Sequence, residues 1–240
     1  MRVFRYLAAF LFILSIPVAL VTTNIRFVAG EPRVYRYAID QFNAVQTTGF
    51  DRDQLLAAGA VIRDYFKNDD KTLVIPVQES DGQIVSLFNE RETVHMEEVK
   101  DRFRLMNRVQ ELSILYAICY VAAVVLWSRE VSTRGLALQV AAGCVIVLAT
   151  IGVVGAIGMA GFDSAWEDFH QLTFAGNDFW RLNPATDHLI QMFPPQFWEN
   201  IVFLIGLMVA AEAALLLVGT MLYFGASRHA ESRVLQPNYA

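Results

Sequence analysis

Four histidines stand in this chain of 240 residues, and two of them have neighbours suited to proton transfer. On helical spacing His95 has Glu92 one turn before it and Glu98 one turn after it. His170 has Trp166, Glu167 and Phe174 at i±3 or i±4. A carboxylate beside an imidazole fixes its tautomer and raises its basicity, which is what general-base work requires. Either histidine alone reads as a surface or capping residue. Placed in one layer, each among aromatic and acidic side chains, the two read as a joint site. His188 could join them from the same side, whereas His229 reads as solvated. No G-x-S-x-G is present and no serine stands in a nucleophile context, so an acyl-enzyme has little support. There is no HxxxH or HExxH, so a metal would need ligands gathered from distant segments. The expected site therefore uses neither metal nor cofactor.

Around His170 the aromatic density is high: Trp166, Phe169, Phe174, Phe179, Trp180 and Trp198. An interfacial aromatic belt accounts for part of this. A belt does not need Asn177, Asp178, Asn183 and Asp187, which are interleaved with the rings. Polar groups among aromatics suit an amphiphilic ligand, with its tails in lipid and its head at the site. Glu212 sits deep in an apolar run, where a carboxylate is costly and is a functional candidate by default. Thr150 and Tyr120 fall at similar depth, so either could hydrogen-bond it. Gly152, Gly155, Gly158 and Gly161 recur at i+3 and read as a close helix-packing face.

The elements that must position these residues are legible from composition. The chain is 55% hydrophobic with mean hydropathy +0.38, and the apolar residues fall in blocks. The fold class read from this is an α-helical integral membrane protein, with four transmembrane helices and a small α/β extracytoplasmic cap. Spans are expected over 1–23, 109–128, 134–160 and 200–225. The cap is expected over 24–108 and completed by 161–199, and 226–240 forms a cytoplasmic tail. Arg2, Arg5, Arg129, Arg134, Arg228 and Arg233 flank the spans on one side. The connection 161–199 carries Arg181 against several carboxylates. The positive-inside rule thus puts both termini in the cytoplasm of a multi-pass plasma-membrane protein. A net charge of −5 argues against nucleic acid as a partner. Cys119 and Cys144 lie inside spans, which excludes an extracellular disulfide scaffold.

Within the cap, Asp51–Phe66 reads as a helix with Leu55, Leu56, Ala60 and Phe66 on one face. TLVIPV and QIVSLF read as a hairpin turned at Ser80-Asp81-Gly82, with Pro76 marking an edge strand. From Thr93 the helical pattern runs into span two without a breaker. In the second outer segment Asp163 reads as an N-cap and Gly176 as a stop, followed by a short helix from His188 to Phe193.

Two segments, FNERETVHMEEVKDRF from Phe88 to Phe103 and FDSAWEDFHQLTFAGNDFWRLNPATDHLIQMFP from Phe162 to Pro194, cover about a fifth of the chain. With four spans and an outer cap, they resemble the bacterial lipoprotein intramolecular transacylase family. The resemblance implies transfer of an acyl chain within one diacylglyceryl-modified lipoprotein, from the sn-2 oxygen to the α-amine of the N-terminal cysteine. It implies two catalytic histidines, matched here by His95 and His170, and contact with membrane lipid. One would accept the ammonium proton; the other would stabilise the tetrahedral oxyanion or protonate the leaving alkoxide. Asn177, Asp178, Trp180, Asp187, Trp166 and Phe174 would then bind substrate. Three other readings stay open on the residues alone. They are a non-enzymatic cap that binds a ligand or partner, a transporter built on Glu212, and a lipid-modifying enzyme with another acylated substrate.

Overall fold

A computed structural model describes residues 2–127 and 133–234, with side chains for 3–127 and 133–227. Arg129 and the side chains of Arg2, Arg228, His229 and Arg233 lie outside the described residues. The element order is α1 (Arg2–Gly30), α2 (Pro32–Gln41), α3 (Ala44–Thr48), α4 (Arg52–Tyr65), β1 (Pro76–Gln78), β2 (Ile84–Ser86), α5 (Glu90–Trp127), α6 (Thr133–Thr173), α7 (His188–Met192) and α8 (Pro195–Val234). The chain divides into two compact units. One comprises Met1–Asn24, Val109–Val154 and Gly206–Ala240; the other comprises Ile25–Arg108 and Gly155–Ile205.

α1, α5, α6 and α8 are long and apolar enough to cross a membrane. In the first unit their outward residues are apolar too: Leu112, Leu126, Leu207, Leu215 and Met221 are each about two-thirds exposed or more. Such a surface is unfavourable in water and is what acyl chains solvate. Inside this unit Phe12 stacks on Tyr120 at 4.6 Å, and the Tyr116 hydroxyl donates to the Ala8 carbonyl at 2.8 Å. A close approach falls at Gly143. A Cβ there would lie 2.8 Å from Ile16 Cδ1 and 2.9 Å from the Ile13 carbonyl oxygen.

Two expectations fail in the spans. Glu212 is met by Asn24, whose Nδ2 donates to its Oε2 at 2.8 Å. Thr150 instead returns its hydroxyl to the Ile146 carbonyl of its own helix, and Tyr120 stacks on Phe12 and Tyr116. A threonine in a helix can satisfy itself locally and has no need of a distant acid. Among the described residues the glycine row is not a packing face. A Cβ at Gly152, Gly155 or Gly161 would meet nothing within 4 Å, and Gly158 would make only an ordinary 3.6 Å contact with Phe203.

The second unit is built around α4, which packs on α2. Its buried residues are Leu55, Ala58, Gly59, Ile62 and Tyr65. Of the four expected on that face only Leu55 is buried. The stripe is rotated because α2 approaches at Gly59, where a Cβ would touch Tyr35 Cβ at 3.0 Å. Lys100 closes the floor of this core. Its Nζ donates to Asn68 Oδ1 at 2.8 Å and to the Asp70 carbonyl at 2.6 Å, over the Tyr65 ring. The hairpin is antiparallel with Val77 opposite Val85, and Gly82 supplies the positive φ of its turn.

α5 runs from Glu90 to Trp127, and His95 lies in its second turn. α6 breaks its helical geometry at Gly161 (φ 170°, ψ 87°), two residues before the expected cap at Asp163. The helix beyond the break ends at Thr173, ahead of Gly176.

Candidate active site

The first turn of α5 is fixed by a reciprocal cap. Asn89 Oδ1 accepts the Glu92 N–H at 3.1 Å, and Glu92 Oε2 accepts the Asn89 N–H at 2.8 Å. Glu92 Oε1 also accepts the Leu189 N–H at 2.6 Å, so one buried carboxylate ties the start of α5 to the start of α7. Burial pushes its carboxyl up, against the pull of those backbone donors. Asp187 completes the tie. It accepts from Asn89 Nδ2 at 3.0 Å, the Asn183 N–H at 2.7 Å and the Thr186 hydroxyl at 3.1 Å.

One turn on, His95 is buried at 6% exposure. Its ring centroid lies 6.0 Å from that of His170, which is brought there by the helix beyond the Gly161 break. His170 Nδ1 is 2.7 Å from the Trp166 carbonyl oxygen. A carbonyl only accepts, so Nδ1 carries the proton and Nε2 of the neutral ring carries the lone pair. His95 Nδ1 has no hydrogen-bond partner. Glu98 Oε2 is 4.0 Å from it and is likewise buried without a partner. The other oxygen of Glu98 accepts from Asn177 Nδ2.

Aromatic rings wall the pair. Phe174 lies 5.0 Å from His95 and 5.7 Å from His170. Trp180 stacks on His170 at 5.3 Å, and Trp166 meets it edge-on at 4.6 Å while stacking on Trp198 at 5.4 Å. Burial, aided by the neighbouring His170, lowers the His95 value to about 4. Burial also lowers His170, with the Trp166 carbonyl acting in the opposite direction. Both imidazoles are therefore neutral at pH 7, the form that can accept a proton.

Of the residues expected at the site, His95, His170, Trp166, Phe174 and Trp180 come together, with Asn177 attached through Glu98. Asp178 is exposed, and its carbonyl accepts from Arg91 Nη1 at 3.4 Å. Asp187 sits at the α5–α7 tie and lines an open cleft with Arg91 and Arg181. His188 turns to Gln191 and Phe50. Glu92 is a cap residue, not a partner of His95; the N-x-x-E spacing of Asn89 and Glu92 could have shown that. Glu98 and Asn177 are 79 residues apart, and nothing local signals their bond. Among the described residues no group of His, Cys, Asp and Glu is placed to hold a metal ion.

Fold and site together define a multi-pass membrane protein with a buried, aromatic-walled pair of neutral histidines. The model of the lipoprotein intramolecular transacylase family, Lit, matches residues 10–198, and the chain belongs to that family of enzymes. Its fold is similar to the in meso structure of the Lit transacylase of Bacillus cereus, with TM-score 0.78 and 17% identity, covering 95% of this chain and 100% of that one. Two structures of the same Bacillus cereus protein with one histidine replaced also match, each at TM-score 0.71 and 17% identity. The arginine variant covers 94% of both chains. The alanine variant covers 93% of this chain and 95% of that one. No curated protein sequence matches the chain.

Proposed function

We propose that His95 and His170 carry out the transfer of an acyl chain within a diacylglyceryl lipoprotein, from the sn-2 glyceryl oxygen to the α-amine of its N-terminal cysteine. The nucleophile belongs to the substrate, so the reaction needs no serine or cysteine of the chain. The amine nitrogen bonds to the ester carbonyl carbon, and the bond from that carbon to the sn-2 oxygen breaks. One proton must pass from the attacking nitrogen to the departing oxygen. His170 is suited to carry it, since Nδ1 is committed to the Trp166 carbonyl and Nε2 holds the lone pair. A substrate amine that starts as ammonium, with a pKa of ~8, must also release one further proton to water. His95 faces the same head group from the other ring. The rings of Trp166, Phe174 and Trp180 confine that head group, and holding two reacting groups in register can remove ~7–11 kcal/mol of barrier.

The observation that carries this reading is the pair of buried imidazoles 6.0 Å apart, one with its tautomer fixed by a carbonyl. The exposed apolar faces of the long helices support contact with membrane lipid. Arg5 and Arg134 near the same ends of the spans support termini in the cytoplasm of the cell membrane, with the histidine pair outside.

The test uses a host that makes only diacylated lipoproteins, with a reporter lipoprotein analysed by fragment-ion mass spectrometry. Transfer leaves the parent mass unchanged, so the N-acylated cysteine fragment is the readout. The unaltered chain converts the reporter. His170→Asn and His95→Asn each lower conversion by ~100-fold or more, the usual contribution of acid–base groups. Undiminished conversion by either variant removes that histidine from the mechanism.

A further inference from the structure

His95 Nδ1 and Glu98 Oε2 face each other across 4.0 Å, and both are buried without a hydrogen-bond partner. Buried polar atoms are nearly always satisfied, because each one left bare costs ~1–3 kcal/mol. A carboxylate whose task was to orient His95 would sit at ~2.7–2.9 Å from it. This one is held back. Asn177 Nδ2 occupies its other oxygen and anchors it to the loop after α6. Both orphaned atoms can accept, so the group that suits the gap is a donor with two N–H bonds. A nitrogen ~2.9 Å from each atom subtends an angle of ~90° between them, which an ammonium meets with small bending of each bond.

We propose that His95 Nδ1 and Glu98 Oε2 form the seat of the substrate's α-ammonium. The carboxylate supplies the opposite charge, and the third N–H is left for the His170 side. This rests on the transacylase reading and adds to it how the amine is recognised. Glu98 is then a substrate-binding residue that selects a primary amine. Once the third N–H has given its proton to His170 Nε2, His95 Nδ1 and Glu98 Oε2 hold the remaining two N–H bonds and the nitrogen lone pair is freed for attack. Asn177 positions Glu98 and does not itself touch the amine.

Binding is measured with the full chain in lipid nanodiscs, using three fluorescent diacylglyceryl lipopeptides. They carry a free α-amine, a hydrogen in place of the amine, and a trimethylammonium. The unaltered chain binds the free amine at least tenfold tighter than either analogue, since the trimethylammonium keeps the charge but has no N–H. Glu98→Gln binds all three within about twofold of one another, with affinity for the des-amino analogue unchanged. Equal binding of the free amine and the des-amino analogue by the unaltered chain overturns the proposal without any variant. So does a Glu98→Gln protein that keeps the full preference, or one that weakens all three ligands alike, as a structural role for Glu98 or a bridging water would give. These readouts are of binding. Failure of the transacylase reading would appear separately, as no conversion of the reporter lipoprotein by the unaltered chain.

Discussion

With 6% of its surface exposed, no hydrogen bond at Nδ1 and the Glu98 carboxylate held off at 4.0 Å, the His95 ring carries a charge at a cost that the unfolded chain avoids. Its value falls from 6.5 to about 4 on folding. Above pH 6.5 the ring is neutral in both states and its contribution to stability is fully present. Between 6.5 and 4 the unfolded state binds a proton that the folded state refuses, so stability falls as pH falls. The full effect is on the order of 3 kcal/mol. The expected outcome is a melting temperature in detergent that drops from pH 6.5 to pH 4, and drops less steeply in His95→Asn. Carboxylates titrate in the same window, so the difference between the two curves is the measure; parallel curves would contradict it. The same burial that creates this weakness keeps the ring neutral, as the proposed chemistry requires. The residue types of the candidate site were legible from sequence because His95 and His170 each sit among aromatic or acidic neighbours at helical spacing, and the fold brings the two rings to 6.0 Å. Their tautomers were not legible. Trp166 stands out as an aromatic i−4 neighbour of His170, yet it is its backbone carbonyl that orients the imidazole.

Helices that pass close to one another need a small residue where they touch, and on α6 that residue is Gly143. A Cβ there would overlap Ile16 Cδ1 at 2.8 Å and the Ile13 carbonyl oxygen at 2.9 Å, and backbone cannot swing aside as a side-chain tip can. Gly143→Ala should therefore destabilise by ~1–3 kcal/mol, the usual cost of overpacking. Gly152→Ala meets open space and should be neutral or slightly stabilising, since alanine favours a helix over glycine by up to ~1 kcal/mol. Thermal melts of the two variants in one detergent separate them, and equal melting would refute the close contact. The glycine pattern in the sequence pointed the other way. A row at i+3 shows which residues share a face, not whether another helix lies against it. Long elements were legible because ~20 apolar residues admit few readings. α2 and α3 were not, being short pieces set by turn geometry and by contacts distant in sequence. α3 starts after Asn43 in a left-handed conformation and stops at Gly49, also left-handed. The rotated face of α4 has a similar origin, since Tyr35 on α2 decides which side of Gly59 is covered.

At the scale of the whole molecule, the proposed reaction needs the histidine pair on the side of the membrane where the lipoprotein head group lies. The proposed orientation rests on arginines flanking the spans against the carboxylates of 161–199. Cysteine labelling on intact cells tests it. In a background where Cys119 and Cys144 are serine, Asp81→Cys at the exposed hairpin turn and Ala185→Cys in the exposed loop before α7 should react with a membrane-impermeant maleimide. Ala226→Cys, exposed near the end of the described side chains of α8, should react only after permeabilisation. The two outer positions belong to different chain segments of one compact unit, Ile25–Arg108 and Gly155–Ile205, which supply His95 and His170 respectively. They must therefore label together. Labelling of Asp81→Cys without Ala185→Cys would separate the two histidines by a bilayer and dissolve the site. Labelling of Ala226→Cys alone would turn the whole arrangement over. The histidine pair would survive intact but face the compartment where its arginine-flanked ends were expected, and the substrate would have to be sought there.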